Sequence, residues 1–188
     1  MGLDTPLLAI QLLWVNLVTD SLTAIALGLE PEAVGIMNRK PENSKKGLFA
    51  DGLWGKILVE GCMIGMLTLL SFSIGNKYYG LEVGRAMAFV SLSMLELVHS
   101  FNIKSDDSIL KIKIFDNKFL LGAFVLGAVL QIGVVSIPQI ANIFSCVPLN
   151  ATQWLLVLGI SICPIIIMEV QKKINEMKFG KRVYSFQK

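Results

Sequence analysis

The sequence predicts an all-α protein, a polytopic membrane bundle of five transmembrane helices with its N-terminus outside and its C-terminus inside. Two observations carry this expectation. Five apolar segments, at about residues 7–29, 53–75, 83–101, 119–137 and 152–170, each approach the roughly 20 residues that a helix needs to cross a bilayer core. Basic residues are also distributed unevenly between the connecting stretches, 15 of the 17 Lys and Arg falling on one side. The composition agrees: 54% of the 188 residues are hydrophobic, more than in an average soluble domain.

The first segment is apolar except for Asn16, Thr19 and Asp20 at its centre. At about 100° per residue the three fall within an arc of roughly 100°, so the expected helix carries them on one face. An ionised carboxylate near the bilayer centre costs at least about 2.5–3.5 kcal/mol. Membrane insertion gives nothing back for Asp20, so a bound group must. An amide oxygen, a hydroxyl and a carboxylate together suit a hard cation. A polar patch that only joins helices is the alternative, and the central Asp20 favours ion binding over it.

The second segment contains Gly61-x-x-x-Gly65, a ridge of small residues that lets another helix approach closely. The third and fifth are short for a span, and the third also contains Arg85, Glu96 and His99. His99 lies three residues after Glu96 on the same face, and a hydrogen bond between neighbours is expected there in preference to a metal role. Glu60, four residues after Lys56, and Glu169, one turn from the basic tail, read as interface residues. Gln131 in the fourth segment is a plausible interhelical hydrogen-bonder.

The connecting stretches set the orientation. Arg39, Lys40, Lys45, Lys46 and Lys56 surround the first connection, Lys104, Lys111, Lys113 and Lys118 the third, and Lys172, Lys173, Lys178, Lys181, Arg182 and Lys188 the tail. Only Lys77 and Arg85 remain for the opposite side. By the positive-inside rule the basic side is cytoplasmic. The net charge of +3 is then an orientation signal, and no nucleic-acid partner is implied. The loop from Glu30 to Gly52 mixes proline, asparagine and both charge signs, and reads as a solvated connector.

No basic n-region or cleavage site precedes the first span, so Met1 to Pro6 does not read as a secretory signal, and the abrupt start looks like a cut within a larger membrane protein. Cys62, Cys146 and Cys163 show no paired spacing, hence neither a disulfide framework nor a zinc site is expected. The sequence contains no glycine-rich phosphate loop, no Ser/His/Asp set and no phosphorylatable aspartate motif, and no catalytic residue is assigned.

The run Gln11-Leu-Leu-Trp-Val-Asn16-Leu-Val-Thr19-Asp20 resembles the sixth transmembrane helix of P-type ATPases of the calcium-pump branch. The resemblance continues through Leu27-Gly-Leu-Glu-Pro31, Gly35-Ile-Met-Asn-Arg-Lys-Pro41 and Thr152-Gln-Trp-Leu-Leu-Val-Leu-Gly-Ile-Ser161. It covers nearly the whole chain as helices six to ten, so that 1–188 is a single C-terminal transmembrane domain. What the resemblance implies is the membrane part of an ATP-driven pump that exports or sequesters calcium, the sarco/endoplasmic-reticulum-like pattern being the nearest. Asn16, Thr19 and Asp20 match the family's three ligands on helix six, with Asp20 similar to the aspartate that bridges two ions. Glu96 in Ser93-Met-Leu-Glu96-Leu-Val-His-Ser-Phe-Asn102 sits where reticulum-type pumps place a glutamate ligand on helix eight. From the residue alone, a snorkelling or interface role for Glu96 is nearly as good an account. The resemblance also places Gly61 and Gly65 against helix five, and Arg39 and Lys40 beside the phosphorylation domain.

Calcium is implied as the transported ion, while ATP and magnesium would act only in cytoplasmic domains that this sequence does not contain. The implied partners are the lipid bilayer and the remaining helices and domains of the same pump. The implied location is a cell membrane if the source is prokaryotic. Helix six of animal calcium pumps usually continues Asp-Gly-Leu-Pro, where this chain has Asp20-Ser21-Leu22-Thr23. Hydroxyls therefore replace residues that loosen a helix, which leaves the backbone path and the ion preference open. A stand-alone membrane subunit without transport, or the same scaffold carrying another cation, are the alternative readings.

Overall fold

The computed structural model describes residues 4–30, 53–103 and 117–179, with side chains as far as residue 174. Arg39, Lys40, most of the first and third connections and the basic tail beyond residue 179 lie outside the described residues. Among the described residues every regular element is helical. Five helices are long and apolar enough to cross a membrane.

The first is interrupted: α1 (Ala9–Trp14), a π-helical turn (Val15–Asp20) and α2 (Ser21–Gly28) follow one another as a single 20-residue span. Then come α3 (Leu53–Tyr79), α4 (Leu81–Ile103), α5 (Lys118–Ser136), the short α6 (Pro138–Ile143) and α7 (Ala151–Phe179). The short third and fifth segments of the sequence are full helices, because polar terminal turns continue the hydrogen-bonded ladder past the apolar stretch. α5 stops at Ser136 because Ile137 precedes Pro138, which disfavours the helical conformation, and Ile137 is extended at φ −91° and ψ 112°. Pro138 then opens α6 where its missing N–H costs nothing.

α4 is the central helix, touching α3, α5, α7 and the π turn. Some 72% of its apolar stretch is buried inside the bundle, against 11% for α3 and 28% each for α5 and α7. This explains why the third segment looked marginal. A helix surrounded by protein can carry Ser91, Ser93, Glu96, His99 and Asn102, whereas one facing lipid must be apolar around most of its circumference. Ala86, Met87, Phe89, Val90 and Leu97 of α4 form the core with Val15, Val134, Val135 and Val157.

α3 and α4 form a tight hairpin through the single residue Gly80, whose φ of +94° favours glycine. The helices then approach so closely that a Cβ on Gly84 would lie 2.7 Å from the Asn76 backbone nitrogen, and one on Gly75 would lie 2.7 Å from the Gly84 Cα. Lower in the same interface the Ser91 hydroxyl donates to Ser71 at 2.6 Å, and Ser71 donates to the Met87 carbonyl at 3.3 Å. At Gly61 and Gly65, by contrast, an added Cβ meets nothing within 4 Å. That ridge is open among the described residues, and none of the five helices packs closely on it.

Beyond α6 the chain folds over the start of the first span. Phe144 packs edge-on against Trp14 at 5.1 Å between ring centroids and stacks near Phe89 at 6.1 Å. Gln11 is fully buried there, with its amide donating to the Phe144 carbonyl at 3.1 Å and to Cys146 Sγ at 3.3 Å. Burial pushes the Cys146 thiol up to about 11, only partly offset by the Gln11 hydrogen bond.

Candidate functional site

The π turn is held by side-chain hydroxyls. Thr19 Oγ1 donates to the Val15 carbonyl at 2.7 Å, and Ser21 Oγ to the Asn16 carbonyl at 3.2 Å. Thr23 Oγ1 contacts the carbonyls of both Thr19 and Asp20 at 3.0 Å. Three hydroxyls thus reach carbonyls of the six-residue turn, Thr23 placed between two of them. Ser21 and Thr23 stand at the two positions where the sequence departs from the Asp-Gly-Leu-Pro pattern named above. The helix is loosened here all the same, by widening and not by breaking. π turns inside α-helices recur at functional sites.

Widening changes which way the candidate ligands point. Residues of a π turn advance less around the axis than the about 100° of an α-helix. The single polar face expected from the sequence is accordingly split: Thr19 is fully buried, while Asn16 and Asp20 are exposed on the side of the span away from the core. The Thr19 hydroxyl reaches Glu96 Oε2 on α4 at 3.2 Å. The side chains of Asp20 and Glu96 are also in hydrogen-bonding contact. Thr19, Asp20 and Glu96 therefore converge. Asn16 lies one turn away and makes no side-chain hydrogen bond to them.

The chemistry of this set is restrictive. Two carboxyl groups in contact cannot both remain ionised in a low-dielectric layer without a counter-charge. A proton or a cation must sit between them. Counting along the helices, Asp20 is 8 residues from the end of α2 and Glu96 is 7 from the end of α4. At about 1.5 Å per residue both lie roughly 10–12 Å inside the apolar layer. All the donors are oxygens, which suits a hard cation. Among the described residues no group of three carboxylate, imidazole or thiol side chains is placed to hold a metal ion.

Both sides of the π turn are anchored. Trp14, immediately before the π turn, donates from its indole to Gln131 Oε1 on α5 at 3.0 Å, the interhelical role expected of Gln131. At the other end Asn117, the N-cap of α5, accepts from the Leu120 amide at 2.8 Å and donates to the Ala26 carbonyl at 3.1 Å and to Glu30. Asn117 and Gln11 were not singled out by sequence. Their signal was weak: Asn117 stands just before an apolar run, the ordinary place for an N-cap.

Two expectations are corrected. His99 does not pair with Glu96 along its own helix; its Nε2 lies 3.2 Å from Glu60 Oε2 on α3. Glu60 is not a solvated interface residue, being 9% exposed inside the α3–α4 interface. Burial against a neighbouring helix outcompetes contact along the same helix because the packed interface excludes the water that would otherwise serve both groups.

The comparisons bear on this geometry. A family model described as "Cation transporting ATPase, C-terminus" matches residues 4–174. The chain is 40% identical over 190 residues to Calcium-transporting ATPase 1 of Bacillus cereus, covering 92% of this chain and 21% of that protein. It is 37% identical to the Calcium-transporting ATPase of Bacillus subtilis, over 87% of this chain and 19% of that protein. It is 29% identical to the Endoplasmic reticulum calcium ATPase srcA of Aspergillus fumigatus, over 92% of this chain and 21% of that protein. The chain thus spans about a fifth of the length of the relatives it matches. An integral membrane bundle with this family match over nearly all its residues belongs to the family of cation transporting ATPase C-terminal regions.

Proposed function

We propose that this chain is the membrane part of an ATP-driven calcium pump and supplies cation ligands from Asn16, Thr19, Asp20 and Glu96. The observation that carries the reading is the contact of Glu96 with both Asp20 and Thr19, on a π turn inside the apolar layer. Relatives named as calcium-transporting ATPases support calcium as the ion. The side chains of Asn16, Thr19, Asp20 and Glu96 offer one, one, two and two oxygens. Calcium takes about 6–8. Other helices complete the cage on the exposed side of Asn16 and Asp20, and the isolated chain binds calcium weakly and hydrolyses no ATP. ATP and magnesium act in cytoplasmic domains, with the N-terminus of this segment outside and its C-terminus inside. For a bacterial source the location is the cell membrane.

The test is phosphoenzyme formation from ATP against free calcium in the complete pump. Asp20→Asn keeps size and hydrogen bonding but removes the charge shared with Glu96, and abolishes calcium-dependent phosphorylation. Glu96→Gln lowers calcium affinity or stoichiometry while phosphorylation persists at high calcium. Asn16→Ala behaves more like Asp20→Asn than like Glu96→Gln. Wild-type calcium dependence in Asp20→Asn would show that the polar contact only joins helices.

A further inference from the structure

α5 carries none of the candidate cation ligands, yet it touches both elements that do. It buries one stripe against the bundle, Leu120, Ala123, Gly127, Gln131 and Val134, at the three- and four-residue spacing of a single helix face. Phe119, Val125, Leu126 and Val129 remain exposed. Asn117, the N-cap, stands at the head of the stripe and is buried with it.

Gln131 meets the first span on one side of the π turn and Asn117 meets it on the other. Trp14, the residue before the turn, donates to Gln131 Oε1 at 3.0 Å. Beyond the turn, Asn117 donates to the Ala26 carbonyl at 3.1 Å and to Glu30, and Ala26 packs with Leu120 and Ala123. The Ala26 carbonyl is among the last four of α2, which have no partner within the helix. One side chain therefore caps both the end of α2 and the start of α5. α5 also meets α4 beside Glu96: a Cβ on Gly127 would lie 2.9 Å from Leu97 Cδ2, and Phe124 packs edge-on against Phe101 at 5.4 Å. Both arms of the Thr19, Asp20 and Glu96 set thus rest on one helix.

The angular relation between the two anchors ties them to the π turn. In a regular α-helix Trp14 and Ala26 would stand about 120° apart around the axis. Each step through the π turn covers less than the about 100° of an α-helix, which turns α2 back and lets both residues meet α5. A return to a regular helix would rotate α2 against α1 and pull Ala26 from Asn117 or Trp14 from Gln131. Stability alone does not account for Gln131. It is fully buried with its amide nitrogen unpartnered, and a half-satisfied amide is costlier there than an apolar side chain of similar length.

We propose that α5 is a splint for the cation site: through Gln131 and Asn117 it holds the first span on both sides of the π turn, in the geometry that brings Thr19 and Asp20 to Glu96, and so raises calcium affinity without supplying a ligand. Trp14, Gln131 and Asn117 are positioning residues. The effect on calcium rests on the function proposed above, whereas the effect on geometry stands apart from it.

Two readouts keep these separate. In the 188-residue chain in lipid nanodiscs, carbon-13 labelling of threonine and glutamate gives a through-space cross-peak between the Thr19 side chain and the Glu96 carboxyl, assigned by its loss in Thr19→Val. Gln131→Met removes the acceptor for Trp14 at similar length. Asn117→Ser keeps a good N-cap for α5 but is too short to reach Ala26. The cross-peak is expected to weaken in each variant and to vanish in the double variant. It persists in Ser91→Ala, which loses a buried hydrogen bond of α4 made to α3 and not to α5. A full-strength cross-peak in the double variant would overturn the proposal. So would its loss in Ser91→Ala, because the contact would then respond to any loosening of the bundle. In the complete pump, the calcium concentration for half-maximal phosphoenzyme formation is expected to rise several-fold in Gln131→Met and in Asn117→Ser, with the maximal level and the ATP dependence unchanged. An unchanged calcium dependence beside a lost cross-peak would remove the positioning role. Wild-type calcium dependence in Asp20→Asn is the separate result that defeats the cation-site reading, and it leaves the cross-peak test of the splint standing.

Discussion

Replacing Thr23 by Val removes one hydroxyl and almost no volume, and it addresses the feature of the site that the sequence concealed. The Thr23 hydroxyl is buried and sits 3.0 Å from the carbonyls of both Thr19 and Asp20, tying the first turn of α2 to the end of the π turn. It has one proton, so the two contacts amount to one bond. A typical intramolecular hydrogen bond contributes about 0.5–1.5 kcal/mol net. If that contribution favours the widened turn over a regular α-helix, its loss shifts the balance by roughly 2- to 13-fold. A regular turn would change the direction in which Thr19 projects toward Glu96. Under the proposed function, half-maximal phosphorylation of the complete pump then needs roughly 2- to 13-fold more calcium, while the maximal phosphoenzyme level is unchanged. Thr23→Ser, which keeps the hydroxyl, restores the wild-type value. The assay is phosphoenzyme formation at buffered free calcium. An unchanged calcium dependence in Thr23→Val, or a Thr23→Ser variant as impaired as Thr23→Val, would refute the claim that hydroxyls maintain the turn.

Gly84→Ala places a Cβ 2.7 Å from the Asn76 backbone nitrogen, where no flexible side chain can give way. It is expected to destabilise the α3–α4 hairpin by about 1–3 kcal/mol, read as a lowered unfolding temperature in detergent, whereas Gly61→Ala, which meets no atom within 4 Å, is close to neutral. For orientation, a single cysteine introduced at Asn150, between α6 and α7, is expected to react with an impermeant thiol reagent from outside. One introduced at Ser185, beyond the described residues, should react only after permeabilisation, and labelling of both from one side would sink the five-span topology.

Much of this molecule follows from local pattern. Five apolar runs separated by polar connections specify five spanning helices, because a backbone in lipid must satisfy its hydrogen bonds within its own helix. The cost of burying Asp20 drew attention to the first span before any packing was known. A family resemblance, and not the physics of the residue, singled out Glu96. In the structure α4 does bring it against Thr19 and Asp20.

What the tertiary structure decided was direction and partnership. Periodicity at about 100° per residue assumes a regular helix, and the π turn breaks that assumption at the three residues of most interest, burying Thr19 and leaving Asn16 and Asp20 exposed. His99 pairs with Glu60, 39 residues earlier, and Gln11 with Phe144, 133 residues later. Sequence spacing within one helix holds no information about such contacts. They depend on how side chains of different helices interlock once the bundle closes, and α4 could be recognised as its centre only when the other helices were packed around it.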